Sequence, residues 1–194
     1  MRRAGVLIVA VAAVFWTAAC AAATPARIVS TQLCADQLLL LLADRERIAA
    51  LSYFAADPNL SAMAAAAEGL PRVNASAEAI LPLEPDLVFA GAFTAQPTVF
   101  LLRRLGQRVV ELPVAGTFDE IRANIRRVAE AIGEPARGDQ LIDAFDRDPA
   151  RLPPPPAFAD APVAALYRSR GYTPASTSLA AEATRRAGFV DLGR

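Results

Sequence analysis

Short apolar runs separated by polar turns divide most of this chain into alternating strand and helix signals. Arg27 to Ser30 reads as a short buried strand, followed by a polar turn and an apolar run from Leu38 to Leu42. Asp36 and Gln37 open that run and Asp44 to Arg47 close it, which predicts a helix of two to three turns. Arg47 to Ser52 predicts a second strand, and the alanine-rich stretch Ser61 to Glu68 a helix stopped by Gly69 and Pro71. Ala75 to Leu81 is a short helix candidate before Pro82. Glu84-Pro85-Asp86 then turns the chain into Leu87 to Ala90, a continuous apolar run of the kind buried on both faces. Pro97 suits the first turn of a helix ending near Gly106, and Arg108 to Leu112 gives the next strand. Thr117 and Glu120 have capping-box spacing. The helix they open carries Phe118, Ile121, Ile125, Val128 and Ile132 along one stripe.

Strands alternating with helices through short connections predict an α/β fold with a parallel sheet flanked by helices. Binding chemistry in such sheets gathers at the carboxyl ends of the strands. That rule selects three loops: Thr31 to Cys34, Tyr53 to Asn59 and Gly91 to Gln96.

The pattern changes after a further helix over Asp139 to Phe145. Asp148-Pro149 is expected to interrupt that helix, and Pro153 to Pro156 form a stiff extended connector. Beyond it, Val163 to Tyr167 predicts a strand, Arg168 to Thr177 a polar loop and Leu179 to Ala187 a helix. One strand and one helix cannot bury their own apolar faces. The unit either docks on the first domain or begins a second lobe that is incomplete in this chain, and the second expectation is favoured.

The first residues follow a different logic. Arg2 and Arg3 precede an uncharged apolar stretch from Ala4 to Ala19 that ends in small residues. These are the parts of a secretory signal, here assigned to residues 1–23. The stretch falls short of the ~20 strongly apolar residues of a membrane span; an uncleaved anchor is the alternative. Ala21-Ala22-Ala23 offers ordinary cleavage before Thr24, and Ala18-Ala19-Cys20 offers a lipoprotein processing site, though Thr17 stands where such sites usually carry Leu. Soluble export is the expectation, with lipidation at Cys20 left open.

Removing that segment removes Arg2, Arg3, Cys20 and the sole tryptophan, Trp16, leaving 18 basic and 20 acidic residues and a net charge of −2. Such a balance gives no electrostatic footprint for nucleic acid. Cys34 then has no intrachain partner and is expected to be a buried structural thiol. The chain has no histidine, which removes the commonest metal ligand and the commonest general base. Neither a metal site nor a cofactor is implied. A catalytic reading, an exported α/β hydrolase with a Ser or Asp nucleophile, lacks both a His and a G-x-S-x-G elbow.

Three segments carry a family resemblance: RIVSTQLCADQLLLLLADRERIAALS (27–52), SAEAILPLEPDLVFAGAFT (76–94) and VAALYRSRGYTPASTSLAAEATRRAGFVDLG (163–193). In order and spacing they resemble the periplasmic binding proteins for cobalamin and iron-siderophores, the ligand-binding components of ABC importers. The resemblance implies a Rossmann-like N-terminal lobe of a class III periplasmic binding protein over 24–133. It further implies an inter-lobe helix and Pro-rich connector over 134–161, and the incomplete start of a C-terminal lobe over 162–194. It implies a non-enzymatic monomer in the periplasm that grips a metal chelate (cobalamin, a ferric siderophore or a haem-like ligand) in a cleft between lobes. Delivery would be to an ABC transporter permease in the inner membrane. A large, partly aromatic ligand needs flat apolar surfaces and a few placed polar groups. The residues chosen for that cleft are Tyr53, Phe54, Phe93 and Thr94 on the first lobe, and Tyr167, Arg168, Arg170 and Tyr172 on the second. Phe54 and Phe93 could instead cap the core. Glu78 falls where some relatives carry a permease-docking glutamate; a solvated helix residue is the alternative. The absent histidines disfavour the zinc- and manganese-binding relatives. With one cleft wall incomplete, a chain that transports nothing, a truncated remnant, stays open as an alternative.

Overall fold

The computed structural model describes residues 24–92, 96–150, 162–167 and 171–192, with the backbone alone at 148–150. The Pro-rich connector and the proposed signal segment lie outside the described residues.

Five parallel strands form the main sheet: β1 (Ile28–Ser30), β2 (Ile48–Ser52), β3 (Arg72–Val73), β4 (Leu87–Gly91) and β5 (Val109–Leu112). Their spatial order is β3-β2-β1-β4-β5. Between them run α1 (Leu33–Leu42), α2 (Ala64–Ala67), α3 (Ala77–Ile80) and α4 (Gln96–Arg104). Two longer helices follow β5, α5 (Phe118–Ile132) and α6 (Pro135–Ala150). β6 (Val163–Ala164), α7 (Leu179–Arg186) and β7 (Val190–Asp191) make a second unit in which the two strands pair in parallel.

Successive strand side chains point to opposite faces, so each continuous apolar strand feeds two cores. Ile28, Leu51, Leu87 and Phe89 pack on one face with Leu39 and Leu42 of α1, Ile125, Val128 and Ile132 of α5, and Ile142 of α6. Val29, Ala50 and Val88 pack on the other with Ala77 and Ile80 of α3 and Leu102 of α4. The three central strands are thus buried on both sides, which is why they read as apolar runs rather than alternating ones. Edge strand β5 is half-buried over Val109 to Glu111.

Two sequence expectations change here. α6 continues to Ala150 through Asp148-Pro149 rather than stopping before them. A proline in the final turn forfeits its own N–H bond without breaking the turns before it, and Pro135 opens the same helix at a position where no N–H partner is needed. Cys34 is exposed, not buried. α1 turns Ala35, Asp36, Leu39 and Leu42 inward, and Cys34 falls outside that stripe. The uniform apolarity of Leu38 to Leu42 concealed which face is inward.

The capping box of α5 forms as expected. Thr117 Oγ1 accepts from Glu120 N–H at 3.1 Å, and Glu120 Oε2 accepts from Thr117 N–H at 3.2 Å and Gly116 N–H at 2.6 Å. At the other end Gly133 takes the left-handed conformation with φ 79°. Thr117→Ala is expected to cost about 1 kcal/mol. Urea denaturation should show a lower midpoint with an unchanged slope.

Candidate functional site

The chain steps from β1 outward to β2 and β3, then crosses back to β4 and on to β5, so direction reverses between β1 and β4. A crevice opens at the carboxyl ends of strands at such a point. β1 and β4 are held in register there by Ile28–Leu87, Val29–Val88 and Ser30–Phe89 pairing. Thr31 extends the junction, its N–H and Oγ1 both donating to Phe89 O at 3.0 and 3.1 Å. Gln32 then caps α1, its Oε1 accepting from Ala35 N–H at 2.8 Å. A Cβ at Gly91 would lie 2.5 Å from Gln32 Cγ. The glycine lets the end of β4 approach the capping side chain. Gly91→Ala should push Gln32 off Ala35 and cost about 1 kcal/mol. Adding Gln32→Ala removes the 2.5 Å contact and leaves the Gln32 Cβ at 3.3 Å, so in denaturant titrations Gly91→Ala should cost less in that background than in wild type.

Tyr53 and Phe54 occupy a 3-10 turn, Tyr53–Ala56, directly off the end of β2. Ala55 is fully buried beneath it, whereas Tyr53 is 61% and Phe54 55% exposed. Phe54 therefore does not cap the core; both rings stand in solvent on the carboxyl edge of the sheet. Glu78 is also exposed, in the first turn of α3 as the chain leaves β3. Tyr167 and Tyr172 are exposed in the second unit, after β6. Phe93, Thr94, Arg168 and Arg170 lie outside the described residues. Tyr53, Phe54 and Glu78 thus share one edge of the main sheet.

The pattern of apolar residues did not single out Asp36, yet it is fully buried under this edge. Its Oδ1 accepts from Ser52 N–H at 3.2 Å and its Oδ2 from Ser52 Oγ at 2.5 Å. Burial raises its pKa above the ordinary value of 3.8, against the opposing hydrogen bonds of Ser30 and Ser52. The signal for it was present: Asp36 stands three residues before Leu39, on the buried side of an apolar helix. The folded protein holds the Asp36 proton more tightly than the unfolded chain does. Its contribution to stability is therefore full below pH 3.8 and is lost as pH rises through the raised folded value. Asp36→Asn cannot ionise, so its stability relative to wild type should climb across that window. Paired urea titrations from acid to neutral pH would show this.

The second unit touches the first at the N-terminus of α5. Glu182 of α7 accepts from Phe118 N–H at 2.9 Å, and that bond is the largest cause holding its carboxyl below the usual range. Arg186 pairs with Glu182 at 3.0 Å and lies 4.4 Å over the Phe118 ring. Phe118 meets Phe145 of α6 edge-on at 5.4 Å. A carboxylate at a helix N-terminus is favourable because the first N–H groups lack partners inside the helix.

Among the described residues no group of three or more His, Cys, Asp or Glu gathers in metal-binding geometry. No described helix is long and apolar enough to cross a membrane.

A family model described as a periplasmic binding protein matches residues 28–192. The chain belongs to that family. Its fold is that of several solved members. A possible iron-binding periplasmic solute-binding protein from Staphylococcus epidermidis superposes with a TM-score of 0.71 at 18% identity, covering 87% of this chain and 67% of that one. The periplasmic vitamin B12 binding protein BtuF of Vibrio cholerae gives 0.63 at 23% identity, covering 87% and 66%. The periplasmic haem-binding protein RhuT from Roseiflexus gives 0.61 at 23% identity, covering 84% and 64%. This chain therefore spans about two thirds of the length of those binding proteins. Among curated protein sequences none matches significantly.

Proposed function

We propose that this protein is the extracytoplasmic solute-binding component of an ABC importer, binding a bulky metal chelate and handing it to a membrane permease. The observation that carries the reading is the exposed Tyr53-Phe54 pair on the carboxyl edge, beside the β1/β4 crevice, in a periplasmic binding protein fold. Two adjacent solvated aromatics are costly to leave uncovered, and they offer contact area with little rotamer entropy to lose. Similar structures include binders of vitamin B12 and haem, which supports cobalamin, haem or a ferric siderophore as the ligand class.

In this reading residues 24–133 form the first lobe and 134–161 the connector. Tyr167, Arg168, Arg170 and Tyr172 belong to the facing wall, over 162–194. Phe93 and Thr94 extend the first wall from the loop after β4. Glu78, solvent-facing on the same edge, is the contact for permease arginines. Residues 1–23 direct export, with Cys20 as the lipidation alternative.

Thermal-shift titration with cyanocobalamin, hemin and a ferric catecholate siderophore tests the proposal. At least one should raise the melting temperature in a dose-dependent way. Tyr53→Ala/Phe54→Ala should weaken that ligand by about tenfold or more while leaving the unliganded melting temperature nearly unchanged. Failure of every chelate to shift the transition would remove the reading.

A further inference from the structure

The proposed ligand edge depends on how the Tyr53-Phe54 turn is launched from β2, and the hydrogen-bond ledger of β2 shows an irregularity at that point. In a parallel ladder alternate N–H groups point to opposite neighbours. Leu51 N–H donates to Pro71 O on the β3 side, at 2.9 Å. Ser52 N–H therefore faces β1. β1, however, pairs with β2 only at Ile28–Ile48 and Val29–Ala50, and leaves the sheet after Ser30 to enter α1. Ser52 lies beyond the last of those pairs, at the end of the ladder. A buried N–H is costly to leave unpaired, so a side-chain acceptor at the end of the ladder is stabilising.

Asp36, one turn into α1, supplies one. Oδ1 takes the Ser52 N–H and Oδ2 the Ser52 hydroxyl, so one side chain grips one residue at two points. The groups that shift its carboxyl are burial and the Ser30 and Ser52 hydrogen bonds, with no cation among them. An acid buried without a cation is an expensive way to fill a core position. A leucine there would pack at lower cost but would give up both contacts with Ser52.

We infer that Asp36 is the positioning residue of the Tyr53-Phe54 lip: by gripping both polar groups of Ser52 it sets the direction in which the turn leaves the sheet. Ala55, fully buried two residues beyond Tyr53, is the second fixed point, and the two exposed rings are carried between them. The inference rests on the chelate-binding reading only for what the lip is used for. Asparagine can make the same two contacts, Oδ1 accepting from Ser52 N–H and Nδ2 donating to Ser52 Oγ. Alanine can make neither.

Hydrogen-exchange mass spectrometry on the full chain separates positioning from general stability. In Asp36→Ala the amides of Ser52 to Asp57 should exchange about tenfold faster or more, with those of α5 unchanged. Asp36→Asn should restore them to within about threefold of wild type. Ser52→Ala, which keeps the N–H contact, should give an intermediate increase and serves if Asp36→Ala fails to fold. Unchanged exchange over 52–57, or an increase spread equally over α5, would overturn the inference. So would an Asp36→Asn protein as mobile as the alanine variant. In parallel, affinity for cyanocobalamin and hemin should fall in Asp36→Ala and be kept in Asp36→Asn. If wild type binds neither these probes nor the ferric catecholate siderophore, the transport reading fails while exchange still decides the positioning role.

Discussion

β1 and β4 lie side by side, paired in register, at the place where the chain reverses its direction across the sheet. The loops that open the crevice hang from that pair. Thr31 locks to Phe89, Gln32 closes over Gly91, and α1 leaves at an angle that brings Asp36 under the end of β2. The pair is rigid because it is dry on both faces: Ile28, Leu87 and Phe89 pack toward α1 and α5, Val29 and Val88 toward α3 and α4. A buried parallel pair gives a fixed platform, and the loops at its carboxyl end inherit that rigidity.

Much of this was legible in the residue pattern because the informative segments are strongly periodic or strongly punctuated. Leu87 to Ala90, too short for a helix and bounded by Pro85 and Gly91, reads as a buried strand, and Thr117 with Glu120 announces the start of α5. The exposed pair Tyr53-Phe54 was reached from chain order alone, since a residue following a parallel strand must lie at its carboxyl end. What escaped lacks periodicity. β3 is two residues long, Arg72–Val73, and is held by pairing with Leu51 and Ser52 rather than by any preference of its own. α2 is confined to Ala64–Ala67, its exit tied by the Arg45 guanidinium to the carbonyls of Ala66 and Glu68, a contact between segments that no local window contains. Cys34 left its expected environment, and Asp36 went unnoticed, for one reason. In a helix apolar along most of its length, the inward face is decided by neighbours in space.

The second unit joins the first through chemistry that a strand-and-helix inventory does not reveal. Glu182 reaches the unpaired N–H of Phe118, and Arg186 covers both the carboxylate and the Phe118 ring. β5 leads into α5, so this joint sits at the carboxyl edge of the sheet, on the same side as Tyr53 and Phe54. α6 contributes Phe145 to the joint and Asp146 to Arg122 beside it. The two units therefore meet at a charged and aromatic knuckle, next to the edge where a ligand would be held.

Arg47 bears on the geometry of the whole molecule. Its guanidinium joins Pro25 O, Ile132 O and the Glu134 carboxylate, and Thr24 packs against Gly133. The beginning of the described chain is thereby stitched to the far end of α5, at the floor of the sheet. Anything fused ahead of Thr24, whether a fatty leash or a laboratory fluorophore, would emerge from that floor and leave the aromatic rim facing the opposite way, unshadowed.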